Sequence, residues 1–452
     1  MQTSTDETKA QTHLARVQAL LGGGTLHQID KMVNSLQPVE IARLLESSPP
    51  PSRNVIWDLV DKGAAGEVLE ELPEDIQAEF IRNLDAEQLI ELTEGLETDD
   101  VVDILQQLPE KITQEVLGAM TEQDRARVEI VLAYDEDTAG GLTNTDTITV
   151  RPSVTVDVVL RYLRRHVELP PSTDALIVVN RKDHFLGMLP LATILTADPA
   201  TTVRDVMMTD TNAIPATMPD SEVAKLFEQN DWVSAPVVDD QGTLLGRITI
   251  DDVVDVIRES ADHSFMSLAG LDEEEDTFSP VMRTIPRRAI WLGINLLTVI
   301  FVASVIKLFQ DTLDQVVTLA ILMPIVASMG GVAGTQTLTV VIRGMAVGHI
   351  GWSNMRWLLS REVRVGLLNG CLWAVVMGAV AAVWFDDLLL AYIIAAAMLL
   401  NLVVAALAGA MLPIILKQMK IDPALAGGVT LTTITDVVGF VAFLGLATYF
   451  YA

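Results

Sequence analysis

Asp436 lies about ten residues into the last long apolar stretch, TLTTITDVVGFVAFLGLATYF, roughly halfway through a bilayer-length segment. A carboxylate at that depth is costly, and an intramembrane acid marks an ion path or proton relay by default. Asp311, Asp314, Glu362, Asp386, Asp387 and Asp422 fall near span ends or in loops, and no Lys or Arg lies mid-span to pair with Asp436. That absence favours function over a buried structural ion pair. Thr430, Thr432, Thr433 and Thr435 precede the acid. Threonine hydroxyls in membrane helices usually bond back one turn, but four beside an acid read as a polar lining. One carboxylate with hydroxyl and carbonyl oxygens is hard-ligand chemistry, suited to Mg²⁺, Ca²⁺ or Mn²⁺, and no His–Cys cluster favours zinc or copper. Mg²⁺ sheds water reluctantly and is held through its hydration shell by one or two carboxylates. Sparse acids are therefore consistent with Mg²⁺ permeation.

A second set of acids lies outside the apolar region. Asp252, Asp255, Glu259 and Asp262 follow at spacings of three, four and three, on one helical face. Asp99 and Asp103 repeat the one-turn spacing earlier in the chain. Two readings stay open: a solvated face, or carboxylates bridged by a divalent cation that cancels their repulsion.

The elements that must position these residues divide sharply by composition. Residues 1–280 hold 53 of the 60 acids and 20 of the 30 bases, a net charge of −33, while the rest carries +3. So acidic a front part repels nucleic acid and attracts cations. The single cysteine, Cys371, permits no intramolecular disulfide. Residues 1–24 are a polar tail without the apolar core of a signal peptide, so the front domains are expected in the cytoplasm.

Five stretches, approximately 289–309, 316–342, 363–385, 388–416 and 426–451, are long enough to span a bilayer. Arg343, Arg356, Arg361 and Arg364 lie between the second and third, and Lys417 and Lys420 between the fourth and fifth. The other two loops carry Asp311, Asp314, Asp386 and Asp387. The positive-inside rule then puts the N-terminus in the cytoplasm and the C-terminus outside. The second span, MPIVASMGGVAGTQTLTVV, packs Pro324, Gly330, Gly331 and Gly334 ahead of Thr335 and Gln336. Close packing is one explanation; a locally opened helix along a wet cavity is the expected one.

Residues 25–136 read as an α-superhelical domain, because ELPEDIQAEFIRNL and QLPEKITQEVLGAM recur at an offset of 36. Strand-rich units follow at 137–198 and 199–257, with ALIVV and FLGML in one, APVVD and LLGRITI in the other. They look like a tandem CBS pair. Thr249 and Asp252 match the ribose-contacting positions of nucleotide-binding CBS domains, which makes ATP a candidate regulatory ligand; the alternative is that the acid caps the next helix.

In this order, the ELPED-type repeats, YDEDTAGGL (134–142), the CBS pair, PIVASMGGVAGTQ, NLVVAALAGAMLPIILKQMKIDPAL and TTITDVVGF resemble the MgtE family of bacterial magnesium channels over nearly the full length. The resemblance implies a multidomain membrane protein: an α-superhelical N domain, an α/β CBS pair, a connecting plug helix within 251–280, and an all-α five-helix transmembrane domain (281–452). It implies a homodimer in the inner membrane, with a pore closed by cytoplasmic Mg²⁺ bridging carboxylates. Asp436 falls on the pore aspartate and Thr432 where a backbone carbonyl faces the hydrated ion, with Gly331 and Thr335 on the second span. Asp99, Asp103, Asp231, Asp252 and Asp255 fall on regulatory metal positions, with Glu259 and Asp262 beside them. The chain departs from the pattern at Val332, where the family commonly has asparagine, at Thr335, where some relatives have another, and at Ser260, His263 and Ser264, where they often have acids. No Gly-x-x-x-x-Gly-Lys-Ser/Thr phosphate loop occurs, which argues against an ATP-driven pump and any enzyme of that class. A cation-coupled secondary transporter, using Asp436 as a proton or Na⁺ site, is the alternative reading.

Overall fold

The computed structural model describes residues 26–451, apart from 83, 94, 166–168, 272–276, 280, 348 and 352–353 and the side chains of Leu26 and Arg283. The expected tail at 1–24 and part of the 251–280 connection lie outside the described residues. The chain forms two compact units, with the boundary after Ala261, inside a helix.

The first unit begins with short helices: α1 (Leu26–Val33), α2 (Pro38–Glu46), α3 (Pro50–Trp57), α4 (Lys62–Glu70), α5 (Glu74–Ile81), α6 (Ala86–Thr93), α7 (Thr98–Gln106), α8 (Glu110–Ala119) and α9 (Glu122–Val131). From α2 onward the first residues, 38, 50, 62, 74, 86, 98, 110 and 122, are 12 apart. The 36-residue repeat in the sequence is thus three copies of a helix-and-turn unit. Pro49, Pro73 and Pro109 sit at the N-caps, where a helix loses nothing by their missing N–H. A side chain also closes the preceding helix by reaching back eight residues to a carbonyl of its last turn: Arg53 to Leu45 (3.1 Å), Gln77 to Leu69 (2.9 Å), Thr113 to Leu105 (3.2 Å) and Arg125 to Leu117 (2.7 Å). Helices this short are marginal alone. Leu45, Leu69, Ile81, Leu105 and Leu117, equivalent positions of different units, join one buried core that holds them.

Two small sheets follow. In the first, β1 (Thr149–Val150) runs parallel to β2 (Ala175–Val179), which pairs antiparallel with β3 (Phe185–Pro190); α10 (Val156–Leu163), α11 (Leu191–Thr196) and α12 (Val203–Val206) accompany it. In the second, β4 (Ile214–Pro215) is parallel to β5 (Ser234–Val238) and β5 antiparallel to β6 (Leu244–Thr249), with α13 (Asp220–Asn230) between. The pairings Ala175–Pro190 and Ser234–Thr249 are equivalent, and both sheets shift register at the same place, after Val178 and Val237. Helix α14 (Ile250–Leu268) continues directly from β6 and ends well before residue 280. Gly270 closes it with φ +72°, and a Cβ there would lie 1.9 Å from Trp291 Nε1.

The second unit is all helical: α15 (Val281–Lys307), α16 (Gln310–Gln315), α17 (Thr318–Ala346), α18 (Met355–Phe385), α19 (Leu388–Gln418) and α20 (Pro423–Tyr451). All but α16 are long and apolar enough to cross a membrane. Helix α19 packs against α17, α18 and α20, and α17 also packs against α20. Contrary to the expected opening, α17 is a continuous α-helix. Its glycines serve close approach instead. A Cβ on Gly330 would lie 2.3 Å from Asn401 Nδ2, and one on Gly334 3.0 Å from Leu431.

Candidate functional site

In the second unit, Thr432 and Asp436 stand one turn apart on α20, both half-buried. Asp436 has no hydrogen bond or ion pair among the described residues. The four threonines do not line a cavity with free hydroxyls, as their number suggested. Thr430 donates to Ala426 O (2.8 Å), Thr432 to Val429 O (3.0 Å), Thr433 to Val429 O (2.7 Å) and Thr435 to Thr432 O (3.0 Å). In a dry helix the nearest carbonyl takes the proton, which leaves these hydroxyl oxygens only lone pairs to offer. Lone pairs suit a cation or its water.

Gly331 lies opposite: a Cβ built on it would sit 3.9 Å from Thr432 Cγ2. Gly331 also lines an open groove of about 700 Å³, whose walls include Ser328, Val332, Thr335 and Gln336, all from that one helix. Thr335 donates to Gly331 O (2.9 Å), and Val332 is 56% exposed. Gly331 thus connects the groove to the helix carrying Asp436.

In the first unit, α7 carries Asp99, Asp100 and Asp103. Val101, Val102, Ile104 and Leu105 bury the helix in the core and take Asp99 with them, to 5% exposure. Asp99 Oδ1 has no hydrogen-bond partner among the described residues. Burial, then Asp252, Asp100 and Glu97, hold the Asp99 carboxyl well above the usual carboxylate range. Asp103 is pushed up to about 7 by burial, with Glu74, Asp252 and Glu259 adding repulsion. Asp252 is pushed up to about 6 by burial, against a hydrogen bond from Thr249 N (3.1 Å) that favours the charged form. The structure therefore brings Asp99, Asp103, Asp252 and Glu259 into one electrostatic cluster.

Other expected residues stand apart. Asp255 is exposed, with Arg258 and Asp251 of its own helix as its electrostatic neighbours. Asp231 is an exposed left-handed residue closing α13 (φ 54°). Asp262 is exposed in the second unit. Thr249 is 2% exposed and gives its hydroxyl to Asp252 Oδ2 (2.9 Å), so this pair caps α14.

Several acids that the sequence did not single out complete the cluster. Burial first, then neighbouring acids, pushes Asp100 up to about 8 and Glu70 to about 7. Glu136 is pushed up to about 8, by desolvation first and then by its hydrogen bond with Glu74 and neighbouring acids. Glu74 and Glu136 lie inside the quoted ELPED and YDEDTAGGL motifs, which was the available signal. Among the described residues, no three side chains converge closely enough to enclose a bare metal ion. An all-carboxylate set with one orphaned, buried oxygen fits a divalent cation that keeps its water.

Asn401 and Glu362 were also missed. Asn401, 1% exposed on α19, donates to Val326 O (2.9 Å). Glu362, expected at a span end, is 5% exposed, accepts from Thr337 Oγ1 (3.3 Å) and pairs with Arg361 (2.5 Å).

Family models match three stretches: a divalent cation transporter model, MgtE, at residues 323–446, the MgtE intracellular N domain at 36–137, and CBS domains at 139–200 and 203–259. The chain is 32% identical over 438 residues to the magnesium transporter MgtE of Thermus thermophilus, covering 95% of this chain and 97% of that one. It is 28% identical to the magnesium transporter MgtE of Bacillus subtilis, over 97% of each. Among solved structures, the cytosolic domain of a Mg²⁺ channel MgtE in complex with ATP matches 54% of this chain and 99% of that one, at 32% identity and a TM-score of 0.49.

Proposed function

The chain belongs to the MgtE family of divalent cation transporters, and we propose that it is a Mg²⁺ channel shut by cytoplasmic Mg²⁺. The observation that carries this reading is Asp436, a carboxylate without a partner among the described residues, deep in a membrane helix, one turn from Thr432 and beside Gly331. A hydrated Mg²⁺ needs charge and outer-sphere acceptors rather than a stripping cage. One carboxylate among oxygen lone pairs supplies both, weakly enough for the ion to leave. The Gly331–Thr335 groove has walls from α17 alone, and a second copy packed on it in a homodimer would close it. The arginines and lysines of the loops support an inner-membrane orientation with the acidic front part in the cytoplasm.

Gating follows from the crowded acids. Without divalent ions, Asp99, Asp103, Asp252 and Glu259 repel one another or stay protonated. A cation bound between α7 and α14 favours the arrangement that keeps them together, and differential affinity for that arrangement is what shuts the pore. ATP has weaker support, because Thr249 is buried and its hydroxyl is spent on Asp252.

Asp436→Asn in proteoliposomes is the direct test. The variant should lose Mg²⁺ flux while inserting normally, because the amide keeps the volume and loses the charge. Wild-type flux should persist with proton and Na⁺ gradients collapsed. Normal flux in the variant would remove the pore assignment; dependence on either gradient would favour a coupled transporter.

A further inference from the structure

Asn401 is the one amide side chain that the described membrane helices bury to 1% exposure, on α19, the helix at the centre of the bundle. It sits where three helices meet. Its Nδ2 donates to Val326 O of α17 (2.9 Å), and its Oδ1 has no partner among the described residues. Two glycines make room for it, one on each neighbour. A Cβ on Gly330 of α17 would lie 2.3 Å from Nδ2, and one on Gly439 of α20 2.8 Å from it.

Those glycines flank the proposed ion path. Gly330 precedes Gly331, and Gly439 is three residues beyond Asp436. An apolar residue would pack three helices in lipid without leaving a buried oxygen unsatisfied. What the amide adds is direction: a hydrogen bond to one carbonyl fixes the height and rotation of α17 against α19, where dispersion alone would let it slide.

We propose that Asn401 is a positioning residue for ion passage, pinning α17 and α20 so that Gly331, Thr432 and Asp436 face a hydrated ion at fixed spacing. Asn401 touches no ion. It acts through Val326 and the two glycines, and the proposal rests on the reading of Asp436 as the pore acid.

The test is Mg²⁺ and Co²⁺ uptake in proteoliposomes, normalised to inserted protein, for wild type, Asn401→Leu, Asn401→Asp and Asp436→Asn. Leucine keeps the volume and removes the donor. The half-saturating Mg²⁺ concentration and the Mg²⁺/Co²⁺ ratio should both shift by roughly three- to fifteenfold, the range of one interhelical hydrogen bond. A residue needed only for folding would lower the amount of inserted protein and leave both quantities unchanged. Aspartic acid, kept protonated in so dry a place, still has a donor. Asn401→Asp should therefore return within about twofold of wild type near pH 6, against the larger shift of a lost hydrogen bond.

Wild-type half-saturation and ion ratio in Asn401→Leu would overturn the proposal, as would Asn401→Asp behaving like leucine. If Asn401→Leu does not insert, Asn401→Ser, too short to reach Val326 O, takes its place with the same expected shift. Loss of flux in Asp436→Asn with no Asn401 effect sinks this proposal alone. Full flux in Asp436→Asn sinks the pore reading and this proposal with it.

Discussion

At the scale of single residues, the polar atoms of the membrane unit are economical, and each has a distinct task. Among the described residues Asp436 has no partner, Asn401 pairs through its Nδ2 alone, and Glu362 is satisfied by Thr337 and Arg361. Only the first could be picked out from the sequence, because an acid deep in an apolar run needs no contact map to stand out. Asn401 could not, since its meaning depends on which carbonyl it meets across 75 positions of chain. Glu362 looked peripheral because charges around it suggested a span end, while α18 in fact runs from Met355. Val332 offers a direct probe of the groove. It is exposed there, and the resemblance noted in the sequence puts it where relatives commonly have asparagine. An amide oxygen at that point can accept from, and its NH₂ donate to, the first-shell water of a passing ion. Val332→Asn should therefore raise Mg²⁺ uptake relative to Co²⁺ and Ni²⁺ in a competition assay. Unchanged ratios would mean that this wall does not meet the ion.

At the scale of elements, the helical domain shows how a 12-residue unit can carry charge into a core. Each unit spends its apolar positions on the shared core, as Leu69, Ile81 and Leu105 do, and has only its turns and one face left for polar groups. The sequence revealed the repeat through two proline-headed helices, yet gave 36 rather than 12, because the turns between them lack the ELPE signature. It also could not show that α7 faces Asp252, a contact set by how the units curl. The resulting crowding has a pH signature. Glu70, Asp100, Asp103 and Glu136 have folded values of about 7 to 8, raised from unfolded values near 4. A raised carboxylate favours the folded state below the unfolded pKa, and that contribution is lost as pH rises through the folded pKa. Divalent-free protein should therefore lose thermal stability of its cytoplasmic unit between about pH 4 and about pH 8, and Mg²⁺ should restore it at the upper end. Asp103→Asn should flatten the profile. A melting temperature independent of pH, or one that Mg²⁺ leaves unchanged at pH 8, would count against the cluster.

At the scale of the whole molecule, charge and hydropathy are separated along the chain, and α14 is the covalent link between the parts: it starts at the strand that ends in Thr249 and finishes beside the first membrane helix in sequence. Asp252 is in its first turn, capped by Thr249 and pressed by Asp99, so a cation there acts on the end of a 19-residue rod. Asp255, equally prominent in the sequence, faces Arg258 and Asp251 of its own helix instead. Spacing alone put both on one face, but only the fold decides which of them meets α7. This difference gives a sharper gating test than removing both together. Asp99→Asn with Asp252→Asn removes two carboxylates from the cluster, so less affinity remains to bind the bridging cation. The channel should stay open at cytoplasmic Mg²⁺ concentrations that shut the wild type, whereas Asp255→Asn should close almost normally. Limited proteolysis reports the same event independently of flux: Mg²⁺ should protect the 269–280 connection in wild type and Asp255→Asn, and protect the double variant at least about tenfold less readily, as expected from losing on the order of 1.4 kcal/mol of cation affinity. If all three proteins are protected over the same Mg²⁺ range, the signal enters α14 somewhere other than Asp252.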